Sequence, residues 1–119
     1  ALADQQIVRA RFADLRPDTR YYYAAEVNGS LDLFRTGELR TFPKGPSDFT
    51  MAVAACARTG SNGAVFDSIA AEQPLVYINA GDLHYANIDG DEPWLFRDAL
   101  NRTLSSTSQS ALYRSTSTA

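Results

Sequence analysis

Leu75-Val76-Tyr77-Ile78-Asn79-Ala80-Gly81-Asp82-Leu83-His84-Tyr85 begins as a short apolar run and ends in polar, metal-competent side chains. Its first residues have the length and the β-branched and aromatic content of a buried strand. The Gly-Asp pair that follows would put a carboxylate at the carboxyl end of that strand, where ligands of α/β sheets bind. Upstream, Phe49-Thr50-Met51-Ala52-Val53-Ala54-Ala55 is a second apolar strand, and it ends at Cys56. Between them lie a polar loop over 57–62 and a helical pattern over 63–72, with Val65, Phe66, Ile69 and Ala70 on one face and Pro74 as its stop. Strand, helix and strand in this order make a βαβ unit, whose crossover should be right-handed. Cys56 and Asp82 are then expected at one crevice, with Tyr85 close enough to turn back toward them.

Composition narrows the classes of function. The chain has 119 residues, is 45% hydrophobic and 21% charged, and carries a formal net charge of -3. These are ordinary globular values. The basic residues are scattered, so no nucleic-acid-binding surface is evident. No apolar run reaches the roughly 18–20 residues of a membrane span. A basic-then-apolar leader is not visible, so any signal peptide is expected to be absent or removed. A single cysteine excludes an internal disulfide framework. The triplets Asn28-Gly29-Ser30 and Asn101-Arg102-Thr103 match the glycosylation pattern, but such short matches arise by chance.

Ahead of the βαβ unit, residues 1–44 read as β structure. An alternating strand is expected over 6–12, an aromatic strand over 21–27 ending at the Asn28-Gly29 turn, and a third strand over 37–42. Leu15, Pro17, Thr19 and Tyr21 have the spacing of the tyrosine corner of fibronectin type III-like sandwiches, in which the Tyr hydroxyl reaches back to upstream backbone. An ordinary aromatic hairpin is the alternative. Such a sandwich needs about seven strands, so only its carboxyl-terminal part is expected. Lys44-Gly45-Pro46-Ser47 reads as a linker, which makes residues 47–119 a second domain. There an acidic loop, Asp89-Gly90-Asp91-Glu92-Pro93, leads into a helix through Leu104, with a break over 105–109 and a further helical turn over 110–114. The Ser/Thr-rich end, 115–119, is expected to be disordered.

A thiolate, a carboxylate and a phenol would form an anionic set suited to a trivalent or tightly held divalent cation. Two such metals polarise a phosphoryl group and supply a nucleophile for in-line attack. Each residue also has a plainer role. Cys56 at a strand end is an inert buried thiol in many proteins, Asp82 can cap a turn, and Tyr85 can simply pack. His84, the sole histidine, is expected beside the metal ligands rather than among them. Arg58, Ser61 and Asn62 are candidates for phosphate oxygens, with an exposed polar loop as the alternative.

Cys56-Ala57-Arg58-Thr59-Gly60-Ser61-Asn62, with Val65-Phe66-Asp67 and Gly81-Asp82-Leu83-His84-Tyr85, resembles the alkaline phosphatase D-type (PhoD-like) metallophosphoesterases. The resemblance runs from about residue 7 to 114, including Ala111-Leu112-Tyr113-Arg114. It implies a two-domain α/β fragment: the end of a fibronectin type III-like sandwich over 1–44, then the first βαβ unit of a calcineurin-like catalytic domain over 47–119. It further implies hydrolysis of phosphate mono- and diesters by a metal-bound hydroxide, with ferric iron and calcium as cofactors and other divalent metals as possible substitutes. By position, Cys56 and Tyr85 would ligate iron and Asp82 would bridge iron to calcium. Arg58 and Asn62 would then meet the phosphate ester. Relatives are commonly exported, which implies an extracytoplasmic location; oligomeric state is left open.

Purple acid phosphatases share the Gly-Asp-x-x-Tyr spacing but carry Asp-x-Gly at the first strand end, so Cys56 favours the alkaline phosphatase D type. Asn79 and Ala80 depart from the His and Leu usual in relatives, and the family's Asp-His-Asp, Asn and later His ligands do not occur in the 119 residues. The chain by itself is therefore expected to be inactive, weakly metal-binding and marginally stable. The alternative from another class is a non-catalytic fibronectin-like binding module with a relic catalytic segment.

Overall fold

The computed structural model describes residues 9–118, and among these the first regular structure follows the Pro17-Asp18 turn. Strand β1 (Arg20–Tyr23) pairs antiparallel with β4 (Gly37–Arg40), Tyr21 opposite Leu39. Two bonds extend the ribbon, from Asp18 N–H to the Phe42 carbonyl (3.1 Å) and from Thr41 N–H to the Thr19 carbonyl (3.0 Å). The Tyr21 hydroxyl accepts the Arg16 N–H at 2.8 Å, the reach-back bond expected from the Leu15-to-Tyr21 spacing.

The aromatic strand expected over 21–27 is broken at Ala24-Ala25. Its second half, β2 (Glu26–Val27), pairs instead with β3 (Ser30–Leu31). Asn28 (φ 51°) and Gly29 (φ 77°) both adopt positive φ, as a two-residue hairpin turn of type I′ requires. That turn fixes a local pairing, which wins over continuation along β4. A 3₁₀ turn over Leu33–Arg35, opened by Asp32 accepting the Phe34 N–H at 3.1 Å, leads back to β4. Of the strand expected over 6–12, residues 6–8 lie outside the described residues and 9–12 carry no strand.

Phe42 and Phe49 meet edge-on at 5.4 Å across the 44–47 linker. Beyond it, β5 (Met51–Ala54), helix α1 (Ala64–Ala71) and β6 (Val76–Asn79) form the expected βαβ unit, with parallel strands in the register Met51 to Val76 and Ala54 to Asn79. Helix α2 (Pro93–Ser105) carries proline in its first turn, where no backbone donor is needed. Only Ser106 separates it from α3 (Thr107–Ser115), so the expected break over 105–109 shrinks to one residue.

The tail is also ordered through residue 118, against the expectation of disorder. Ser117–Thr118 form β7, parallel to β6, and the buried Thr116 hydroxyl donates to the Pro74 carbonyl at 2.8 Å. Low complexity describes side chains. The unpaired backbone edge of β6 needs only N–H and C=O groups, which α3 delivers to it.

The sheet order is β5-β6-β7. Phe66, Tyr77 and Leu112 are buried together, with Ala52, Ala54, Ile69 and Ala70 packed on them, so α1 and α3 cover one sheet face. Val65, expected on that face, is exposed because α1 turns only a narrow stripe inward. The opposite face is open: Met51 and Val53 are 52% and 57% exposed, whereas parallel sheets usually have both faces covered. No helix among the described residues is long and apolar enough to cross a membrane.

Tyr77 and Tyr113 stack obliquely, ring centroids 5.9 Å apart. Burial raises both phenols above the ordinary value of 10.0; the charge of Tyr113 adds to this for Tyr77, while a hydrogen bond to Asn79 works against it for Tyr113. The folded chain therefore holds these protons at pH values where the unfolded chain releases them. Their contribution to stability is full below about pH 10 and is lost as pH rises further. Urea midpoints measured from neutral to strongly alkaline pH should fall above that point, and less steeply in Tyr113→Phe. An equal fall in both proteins would contradict this account.

Candidate metal centre

Parallel pairing of β5 and β6 sends both chains out of the same edge of the sheet. The Ala80 N–H still bonds the Ala54 carbonyl at 2.8 Å, one residue past the end of β6. Cys56 lies two residues beyond β5 and Asp82 three beyond β6, both exposed at this edge. Gly81 makes their approach possible. A Cβ there would meet the Ala55 Cβ at 2.7 Å and the Cys56 Sγ at 3.2 Å, closer than packed carbon tolerates. Cys56 adopts φ 62°, in the left-handed region. For a residue with a Cβ this costs on the order of 1–3 kcal/mol, a feature that clusters at functional sites. The thiol is thus neither buried nor relaxed, unlike an inert core cysteine.

Tyr85 turns back to both groups. Cys56 and Asp82 are the side chains that act on its phenol, and they push its pKa well above the ordinary 10.0. The hydrogen bond to Cys56 is the largest cause, then that to Asp82, with burial and the charges of Asp82 and Cys56 adding to it. Ionising the phenol here would place a third negative group beside two acidic ones. A cation would reverse that penalty.

The two loops are fastened by groups that the sequence did not single out. The Thr59 hydroxyl accepts the Tyr85 N–H at 2.7 Å. The Thr103 hydroxyl, buried in α2, donates to the Leu83 carbonyl at 3.2 Å. Gly60 (φ 67°) sits where an added Cβ would lie 3.5 Å from the Arg102 carbonyl oxygen. Thr103 was legible as a core-facing position one helical turn after Ala99; Thr59 had no signal beyond being a loop hydroxyl.

The proposed phosphate contacts fare differently. The Asn62 side chain accepts the Ser108 N–H at 3.0 Å in the first turn of α3, a helix whose own N-cap residue makes no side-chain bond. It serves as a cap from another loop. Arg58 is exposed, and its carbonyl closes the loop by accepting the Ser61 N–H at 2.9 Å. His84 is half-buried, with Nδ1 accepting the Ala86 N–H at 3.4 Å. A cavity of about 190 Å³, lined by Arg20, Glu38, Arg40, Pro74, Leu75 and Thr116 among others, lies at the opposite, amino end of β6. Its arginines are paired, Arg20 with Glu38 at 3.0 Å and Arg40 Nε with Asp18 at 2.9 Å.

Among the described residues, no group of three or more His, Cys, Asp or Glu is gathered as a metal site. The convergent set is one Cys, one Asp and a phenol. No family model, curated protein or solved structure matches the chain.

Gly81→Ala should cost about 1–3 kcal/mol by overpacking and should change the rate at which a thiol reagent labels Cys56. Unchanged stability and labelling would show that the close approach is not required. In a metal-free spectrophotometric titration Tyr85 should ionise later than an ordinary tyrosine. Cys56→Ala should bring it down more than Asp82→Asn does, and the reverse order would overturn the assignment of the larger cause.

Proposed function

We propose that the chain is part of a metal-dependent phosphoesterase of the alkaline phosphatase D type, with residues 1–44 from a fibronectin type III-like domain and 47–119 from the start of the catalytic domain. The observation that carries this reading is the convergence of Cys56, Asp82 and Tyr85 at the carboxyl ends of two adjacent parallel strands. Thiolate, carboxylate and phenolate together form an anionic set suited to a trivalent or tightly held divalent cation such as ferric iron, and a carboxylate can bridge to a second ion such as calcium. The raised Tyr85 pKa is consistent with this fit, since its largest causes are Cys56 and then Asp82, the other two groups of the set. Cys56 and Tyr85 would hold iron and Asp82 would join the two metals.

When bound, such a metal pair supplies Lewis-acid polarisation of a phosphoryl oxygen and a nucleophile derived from water. The residues themselves do the positioning. Asp82 offers oxygens on two sides. Gly81 lets it approach Cys56, and the exposed edge leaves room for a phosphate ester. Arg58, exposed on the adjoining loop, is available to an ester oxygen, whereas Asn62 is engaged in capping α3. Three donors are fewer than a two-metal site needs, so the 119-residue chain alone is read as a weak metal binder without turnover. The open sheet face fits the same reading.

One observation favours the alternative of a binding module. Tyr22, Leu33 and Phe34 stand exposed on the amino-terminal ribbon, Phe34 at 99%. Phosphodiester hydrolysis by the full-length protein with added iron and calcium, against a chelated control, separates the two readings.

In that protein Cys56→Ser should lose iron and at least about tenfold in activity. Tyr85→Phe should lose any phenolate-to-iron visible absorption. Full iron retention in Cys56→Ser would sink the metal assignment, and an unchanged spectrum in Tyr85→Phe would remove Tyr85 from the ligands.

A further inference from the structure

Tyr85 poses a positioning problem. It lies six residues beyond the end of β6, in a stretch without regular secondary structure, and it is 46% exposed. Packing of that kind does not hold a ring in one place, yet Cys56 and Asp82 are the two groups that act on its phenol.

Two hydrogen bonds hold its backbone. The Thr103 hydroxyl in α2 shares its proton between the Leu83 carbonyl and the Ala99 carbonyl of its own helix, both at 3.2 Å, which ties the loop to the helix. Thr59 takes the Tyr85 N–H itself at 2.7 Å, across 26 residues of sequence. Thr59 sits three residues after Cys56, on the loop that carries the thiol. That loop is closed by the Ser61 N–H bond to the Arg58 carbonyl at 2.9 Å. The hydroxyl that receives the Tyr85 N–H is thus held in the same short frame as the Cys56 side chain.

We propose that Thr59 is a positioning residue: its hydroxyl fastens Tyr85 to the Cys56 loop and so sets the phenol against Cys56 and Asp82. Its bearing on metal binding rests on the phosphoesterase reading above; its bearing on geometry does not. Valine at 59 keeps the β-branched shape but offers no acceptor, while serine keeps the acceptor.

The test uses the whole chain by NMR, with and without ferric iron. Wild type and Thr59→Ser should show contacts between the Tyr85 ring protons and the Cys56 β-protons, and slow exchange of the Tyr85 amide. Thr59→Val should lose the contacts and exchange that amide about tenfold faster, the scale of one lost hydrogen bond, with the Phe66, Tyr77 and Leu112 signals unmoved. Should Thr59→Val disturb those core signals, Thr59→Ala is read on the same contacts. Contacts and exchange at wild-type level in a folded Thr59→Val or Thr59→Ala overturn the proposal, as does an unprotected Tyr85 amide in wild type.

In the full-length protein with ferric iron, a visible phenolate band should appear in wild type and Thr59→Ser and weaken in Thr59→Val. If no protein shows a band while the contact pattern holds, the metal reading fails and the positioning role of Thr59 stands.

Discussion

The parallel pairing of β5 with β6 is the constraint on which the rest depends, because it is what makes two residues 26 apart in sequence leave the sheet side by side. It is bonded at both ends, by Leu75 N–H to the Thr50 carbonyl at 2.9 Å and by Ala80 N–H to the Ala54 carbonyl at 2.8 Å. A slip of one residue would reverse the inward direction of Ala52, Ala54 and Tyr77 and expose the core. Burial of Tyr77 against Phe66 and Leu112 therefore holds the register, and the register holds Cys56 and Asp82 at one edge. The hydrophobic core and the candidate site are coupled through two four-residue strands.

Polar groups complete what apolar packing begins. Gln109 is fully buried, and its amide donates to the Ser61 carbonyl at 3.0 Å while its oxygen accepts the Tyr113 hydroxyl at 3.2 Å. Asn62 and Thr103 make comparable ties from the two loops to α3 and α2. Each bond is worth about 1 kcal/mol net, but an unmade one would leave a buried group unsatisfied. Among the described residues, no buried side-chain nitrogen or oxygen lacks a partner. These ties also explain how loops without regular structure carry side chains to defined positions. Helix ends and strand ends supply the anchors, and short polar side chains supply the reach.

The electrostatics at the sheet edge point one way. Hydrogen bonding to Cys56 first and to Asp82 second keeps the Tyr85 phenol protonated beyond its ordinary range. With the left-handed backbone of Cys56 and the tight contact at Gly81, this edge combines acidity, strain and exposure.

The βαβ unit was legible because its signals are local. Apolar runs mark β5 and β6, an amphipathic stripe marks α1, and Pro74 ends it. The strand-end positions of Cys56 and Asp82 followed from that pattern, as did the Tyr21 reach-back from Leu15-Pro17-Thr19. Side-chain pattern alone did not reveal the pairing of β2 with β3, the strand at Ser117–Thr118, or the use of Asn62 as a distant cap. Each of these depends on which backbone edge or helix end happens to be unsatisfied nearby. The amino-acid sequence by itself determined the order β5, α1, β6 and the chemical kinds of group at the sheet edge. The bond from the Tyr85 N–H to the Thr59 hydroxyl came only with the packed chain, because a hydrogen bond across 26 residues leaves no periodicity to read.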